Sequence, residues 1–301
     1  MFRYGVHRFS WGHFYDQNDL KTFFEQVAKT GADTVEFRPP DLALLNNQQK
    51  IMEIRQLAAD KGIDMVFCLG YPPGFDMRSE DIFVRKHVHE YLSAAVRAVS
   101  ALGGSELGGV IYSTWPPVYN NFPITKQMKY EQTQRCIEGI RQIMPIAGDF
   151  GVQLDMEVLN RFDNHIINTV EEGISFVRAV DSKNCGLLLD TFHMNIEEDD
   201  IPAAIRSARG YIGKLHVTEP NRKIPFHNKR INWPEIGKAL KDISFDKSVV
   251  IEAIIAYDDI DAYNMRLWRD LIADTSLSGR IEELRKGVLF LKEQFGNKIV
   301  A

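Results

Sequence analysis

Short apolar runs alternate with longer amphipathic stretches from one end of the chain to the other. Eight of the runs read as strands, at residues 4–9, 33–37, 64–69, 108–112, 152–158, 185–190, 212–217 and 249–254. They are rich in Val, Ile and Leu rather than alternating, the pattern of parallel strands covered on both faces. Between them DLKTFFEQVAKTG, QQKIMEIRQLAADKG and DIFVRKHVHEYLSAAVRAVSALGG read as helices, the first two stopping at a Gly. TVEEGISFVRAV opens with Thr169 at an N-cap position and Glu172 three residues on, a capping box. A last helix is expected from about Gly279. Eight strand–helix units in 301 residues fit an α/β fold, a single (β/α)8 TIM barrel domain over residues 1–301, better than an open doubly wound sheet. The chain carries neither GxGxxG nor GxxxxGK[ST], which removes most support for dinucleotide or nucleoside-triphosphate chemistry.

Four runs in the second half, VQLDMEV, CGLLLD, IGKLHV and VVIEAI, end on Glu157, Asp190, His216 and Glu252. A barrel gathers the C-terminal ends of its strands at one active-site face. A lone acidic residue at a strand end usually caps a helix or joins an ion pair. Equivalent positions on consecutive strands point instead to one shared site. Three carboxylates and one imidazole favour a hard divalent ion such as Mn2+, Mg2+ or Co2+ over a thiolate-loving metal. Such an ion suits a 2-keto sugar, whose enediolate it would stabilise when the C3 proton leaves. Glu157 and Glu252 come from opposite sides of the ligand set and are the candidate pair that removes and returns that proton.

At these residues the chain resembles the ketose 3-epimerases, the D-tagatose/D-psicose (allulose) 3-epimerase family of the xylose-isomerase-like TIM barrels. MEVLNRFDNHIINTVEEG, LLLDTFHMNIEEDDI, GGVIYSTWP, NRKIP and LWRDL carry the resemblance, which runs over nearly the whole chain. It implies one divalent metal ion, Mn2+ preferred, at Glu157, Asp190, His216 and Glu252, with Glu157 and Glu252 as the proton-transfer pair. It also implies sugar contacts from Asp163, His193 and Arg222, and a homo-oligomer, dimer or tetramer. Of the residues near strand ends, Trp11 and Trp115 read as an apolar wall for the sugar, and Cys68 as a pocket-lining thiol. Glu36 reads as an ion-pair partner able to orient a ligand. Four positions depart from the family pattern: Asp163 in NRFD where Glu is usual, FHNKRINW at 226–233 for a Gly-rich stretch, His7 for an aromatic residue, and YPPGF at 71–75. All four are expected in the part of the pocket away from the metal.

The same constellation also suits a lyase of 3-keto-C-glycosides, which works with a small partner subunit, or an aldose–ketose isomerase. Abasic-site endonucleases of this barrel type need further His ligands near strands three and four, where the chain reads CLGYPP and YSTWPP. The net charge of −5 and the lack of a basic cluster also argue against a nucleic-acid partner. Cys68, Cys136 and Cys185 are odd in number and widely spaced, as expected of reduced thiols in a cytoplasmic protein. No run approaches the roughly 20 apolar residues of a membrane span. No Gly-rich phosphate loop follows strands seven or eight, so an unphosphorylated sugar is expected.

Overall fold

The computed structural model describes residues 2–40, 45–71, 74–115, 123–227 and 230–296. Within them eight parallel strands close into a barrel in sequence order. They are β1 Arg3–His7, β2 Thr34–Phe37, β3 Asp64–Cys68, β4 Glu106–Gly109, β5 Gln153–Glu157, β6 Cys185–Asp190, β7 Ile212–Val217 and β8 Ser248–Ile251. The helices α1 Leu20–Ala28, α2 Gln48–Asp60, α3 Ile82–Ala101, α4 Lys126–Asp149, α5 Val170–Val180, α6 Thr191–Glu197, α7 Ile201–Ser207, α8 Trp233–Asp242, α9 Ile260–Asn264 and α10 Leu277–Gln294 surround it. Every residue of β6 and β7 is buried, the polar Asp190, Lys214 and His216 included. No helix among the described residues is long and apolar enough to cross a membrane.

Three strands differ from the sequence expectation by two residues or more at an end. The first strand ends at His7, because Arg8–Phe14 turns into a 3-10 helix broken at Gly12. The fourth is ELGG rather than GGVIY. Glu106 enters the barrel floor to accept from Arg3 at 2.5 Å and Ser248 at 3.2 Å, a pairing that apolar periodicity cannot register. That strand stops at Gly109, whose φ of +109° is open to glycine alone and whose absent Cβ would lie 2.5 Å from the Leu69 carbonyl. The eighth ends at Ile251, so Glu252 lies one residue beyond its strand.

Helix ends follow local chemistry closely. Asp19, Asn47, Thr125, Thr169, Asn232 and Ser276 each accept from the N–H three residues ahead. Glu172 completes its half of the expected box on Asn168 N–H, at 2.7 Å, one residue before the cap.

The segment between β5 and α5 is tied down by side chains. Asn164 Oδ1 accepts from the N–H groups of His165 and Ile166, and Asn168 Nδ2 donates to the carbonyls of Leu159 and Asn164. His165 Nε2 pairs with Gln132 Oε1 of α4 at 2.6 Å. Burial, then the Arg78 and Lys129 charges, lower its pKa to about 4. Between about 4 and the ordinary 6.5 the unfolded chain therefore binds more protons than the folded one, and stability rises with pH across that window. His165→Gln should flatten the rise. Thermal melts at the two ends of the window check this, and an unchanged slope would contradict it.

Candidate active site

Strand register brings the candidate residues to one level. Asp190 pairs with His216 across β6 and β7, and His7 with Glu36 across β1 and β2. One donor atom from each of Glu157, Asp190, His216 and Glu252 lies within 4.8 Å of the other three, and all four residues are buried. His216 Nε2 lies 2.6 Å from Glu36 Oε2. A carboxylate only accepts, so Nε2 carries a hydrogen, and in the neutral ring that a metal requires Nδ1 carries the lone pair. Nδ1 is buried without a hydrogen-bond partner, 3.4 Å from Glu252 Oε1. A buried nitrogen lone pair beside three carboxylates is the donor set of a hard divalent cation, so the residues fit the ion that the sequence implies.

Two cationic and amphoteric side chains cover this cluster. Arg222, in the left-handed region at φ +65°, turns its Nη1 back to donate to Asp190 Oδ2 at 2.9 Å and Glu252 Oε2 at 2.8 Å. Its guanidinium lies 4.0 Å above the Phe192 ring. His193 Nδ1 accepts from Asn160, 3.2 Å from the backbone N and 2.7 Å from Nδ2. Nε2–H is thereby turned toward Glu157 Oε1 at 3.5 Å and Asp190 Oδ2 at 3.6 Å. The two glutamates experience opposite fields. Burial, with Glu252 nearby, raises the pKa of Glu157. Burial acts the same way on Glu252, but His216 and Arg222 outweigh it and hold that carboxyl well below its usual range.

A cavity of about 260 Å³ opens above the cluster. Glu157 and Glu252 line it, with His193 and Arg222, whereas Asp190 and His216 lie beneath. Leu69, Tyr71, Val110, Trp115 and Leu159 form apolar walls. Arg8, paired with Asp261 at 2.7 Å, stands at the mouth with Asn264 and Met265. Trp115 and Cys68 are on the cavity as expected, and burial above all keeps the Cys68 thiol protonated.

Two expected contacts sit elsewhere, and a third is on the cavity but nearer the cluster than expected. Trp11 does not reach the cavity: its indole N–H donates to Gln26 at 2.8 Å and its ring packs edge-on to Phe23 at 5.1 Å. The phenylalanine layer of α1, β2 and β3 draws it into the core, since each such aromatic contact adds about 0.5–1.5 kcal/mol beyond burial. Asp163 lines a neighbouring cavity with Asn160, Phe162 and Phe192, and accepts from Asn160 Nδ2 at 2.8 Å. Its reach toward the cluster runs through Asn160 and His193. His7 lines the cavity, but beside the cluster rather than in the part of the pocket away from it. A ring nitrogen of His7, Cys68 Sγ and a Glu252 oxygen lie within 4.8 Å of one another. Of the 226–233 segment, Phe226 and Trp233 pack toward Phe290 of α10, at 6.3 and 6.5 Å, rather than onto the cavity. Asn228 and Lys229, like Pro72 and Pro73 of the other altered loop, lie outside the described residues.

Sequence reasoning missed Asn160, Arg8, Asp261, Asn264 and Met265. Asn160 stands within the quoted NRFD motif, and its signal was there to be read. The mouth residues carry no signal, since their positions depend on how the segments after β1 and β8 pack together.

The sequence matches the xylose isomerase-like TIM barrel family over residues 24–290. A D-psicose 3-epimerase of Ruminiclostridium cellulolyticum is 37% identical over 269 residues, 89% of each chain. A D-psicose 3-epimerase of Agrobacterium fabrum is 33% identical over 294 residues, 98% of this chain and 99% of the other. A crystal structure of D-psicose 3-epimerase in the presence of D-fructose superposes with a TM-score of 0.88 at 33% identity, covering 98% of this chain and 100% of that one.

Proposed function

Because this chain belongs to the xylose isomerase-like TIM barrel family and, within it, to the ketose 3-epimerases, carbohydrate isomerases by class, we propose that it inverts C3 of a free keto sugar. One divalent ion, Mn2+ by preference, would be held by Glu157, Asp190, His216 and Glu252. The observation that carries the reading is which members of that cluster reach the cavity: Glu157 and Glu252, the two groups assigned to move the proton. When bound, the ion would polarise the C2 carbonyl and so lower the cost of removing the C3 proton.

The chain's own residues do the rest. One glutamate takes the C3 proton from one face of the sugar, and the other delivers a proton to the opposite face. The first ends protonated and the second ionised, and exchange with solvent or a sugar hydroxyl resets both. Run backward, the roles exchange, as a reversible epimerisation requires. His193 holds Glu157 through Nε2–H, and Arg222 holds Glu252 while offering its remaining N–H groups to sugar oxygens. Asn160 fixes the His193 ring, and Asp163 acts on the sugar only through that pair. Trp115 and Leu159 give the sugar's carbon face an apolar, water-excluding wall. Cys68 extends that wall as a neutral thiol. Turnover of D-psicose, D-fructose, D-tagatose or L-ribulose to its C3 epimer, read by chromatography, tests the reading. Aldose products only would refute it. The likeness to 3-epimerases does not favour the 3-keto-C-glycoside lyase, with its small partner subunit, or the aldose–ketose isomerase.

His7 supplies the one polar contact that the family pattern does not. Its Nδ1 accepts from Phe9 N–H at 3.2 Å, which leaves Nε2–H as the donor. Burial lowers its pKa to about 4, so the ring is neutral at pH 7. A fixed donor on a mostly apolar wall selects a sugar hydroxyl opposite it. His7→Phe keeps the ring and removes the donor. It should lower kcat/KM for the preferred ketose about 10- to 100-fold, the worth of one such bond to a buried site. The deoxy sugar lacking that hydroxyl should be unaffected. Equal losses on both substrates would contradict the assignment.

The oligomer belongs to the same reading. Tyr257 and Tyr263 each meet Trp268 edge-on at 5.7 Å while all three are about half exposed, an apolar patch that association would cover. A cytoplasmic location accords with the free thiols of Cys68, Cys136 and Cys185.

A further inference from the structure

Lys214 sits two residues before His216 on β7, so both side chains enter the barrel interior. Its side chain has no exposed surface. Nζ donates to Glu36 Oε1 at 2.6 Å and to the Phe67 carbonyl at 3.0 Å, joining β7 to β2 and β3 through the barrel. Glu36 is equally buried, and its other oxygen lies 2.6 Å from His216 Nε2. The run of contacts has one possible direction, because an ammonium only donates and a carboxylate only accepts. Lys214 fixes Glu36, and Glu36 takes the hydrogen of His216 Nε2. What remains is the His216 Nδ1 lone pair, the buried atom on the cluster side that lacks a hydrogen-bond partner.

Charge points the same way. Glu36 adds a fourth carboxylate to Glu157, Asp190 and Glu252, and two fixed cations contact this group, Arg222 at the cavity and Lys214 in the barrel interior. By formal charge the group lacks two positive units, which is what a divalent ion carries. Without Lys214, Glu36 would be a buried carboxylate held only by the His216 Nε2–H, its charge uncompensated by a fixed cation.

We propose that Lys214 is a positioning residue of the metal centre. Through Glu36 it fixes the tautomer and ring plane of His216, so that Nδ1 is presented to the ion. The inference rests on the proposed metal site and adds a residue to its machinery. Partners that orient a ligating His in this manner are worth about 10- to 100-fold in metal affinity. A buried ion pair kept only for stability would leave affinity untouched.

The test uses the full chain stripped of metal, with Mn2+ as the probe. Mn2+ affinity is read from the electron paramagnetic resonance signal of the free ion, and the melting temperature of each metal-free protein is recorded beside it. Lys214→Met should lower the melting temperature and weaken Mn2+ binding about 10- to 100-fold. The double variant K214M/E36Q removes both charges. Its melting temperature should recover toward that of the parent, while its affinity stays at least tenfold weaker, because nothing then anchors residue 36 against His216. If Lys214→Met does not fold, the double variant carries the test alone. Affinity in the double variant within tenfold of the parent would overturn the proposal and leave Lys214 a structural ion pair. Failure of the parent chain itself to bind Mn2+ would overturn the metal reading, and this inference with it.

Discussion

Glu252→Gln and Glu157→Gln should each lower kcat for C3 epimerisation by about 10²–10⁴-fold, the usual worth of a positioned acid–base group. The amide keeps the shape and one oxygen of the carboxylate but neither takes nor delivers the proton. Both residues also belong to the ligand set, so bound Mn2+ must be measured in each variant before kcat is compared. The two-glutamate mechanism has a sharper consequence. A variant retaining one base can still remove the C3 proton from one face and return a solvent proton to that same face. In D2O each variant should therefore exchange the C3 hydrogen of one epimer without inverting it, and the two variants should act on opposite epimers. Unchanged turnover in either variant, at full metal occupancy, would remove the mechanism.

Removing divalent metal should abolish turnover and destabilise the fold together. Three carboxylates lie within 4.8 Å of one another, and Arg222 bridges two of them. An ion present at a hundred times its dissociation constant contributes about 2.7 kcal/mol of stability by mass action. For a chain of this size that amounts to several degrees in Tm. Dialysis against a chelator, then return of Mn2+, Mg2+ or Co2+ singly, separates the ions, with Mn2+ expected to restore the most activity. Full activity in protein shown by elemental analysis to be free of metal would contradict the ligand assignment.

The barrel was legible because parallel strands buried on both faces need largely apolar runs, which β6 has and which the runs around β5 and β7 keep despite Asp155 and Lys214. Glu157, Asp190 and His216 were legible for the same reason, as polar residues ending such runs. β4 was misread because its strand carries Glu106 and two glycines, and ELGG is held as a strand by its ladder to β5, with Glu106 paired to Arg3 a hundred residues away in the chain. Trp11 illustrates the opposite error. Its position near a strand end pointed to the pocket, but the 3-10 turn after β1 rotates it into the phenylalanine layer. His7 and Lys214 were underread because each is a polar residue in a run read mainly for its apolar positions. Periodicity alone could have placed Lys214 beside His216, since both lie on the same face of β7. What no pattern in the chain discloses is that Glu36, far away in sequence, stands between them.

The central claim is proton transfer at C3, and ¹H NMR in D2O tests it most directly. The Mn2+-loaded protein is incubated with D-psicose, D-fructose, D-tagatose and L-ribulose in turn. The account predicts that at least one ketose gains deuterium at C3 as its epimer accumulates, with C1 unlabelled. Deuterium at C1 or C2 would reassign the chain to aldose–ketose isomerisation, and no exchange with any of the four by metal-loaded protein would contradict the account.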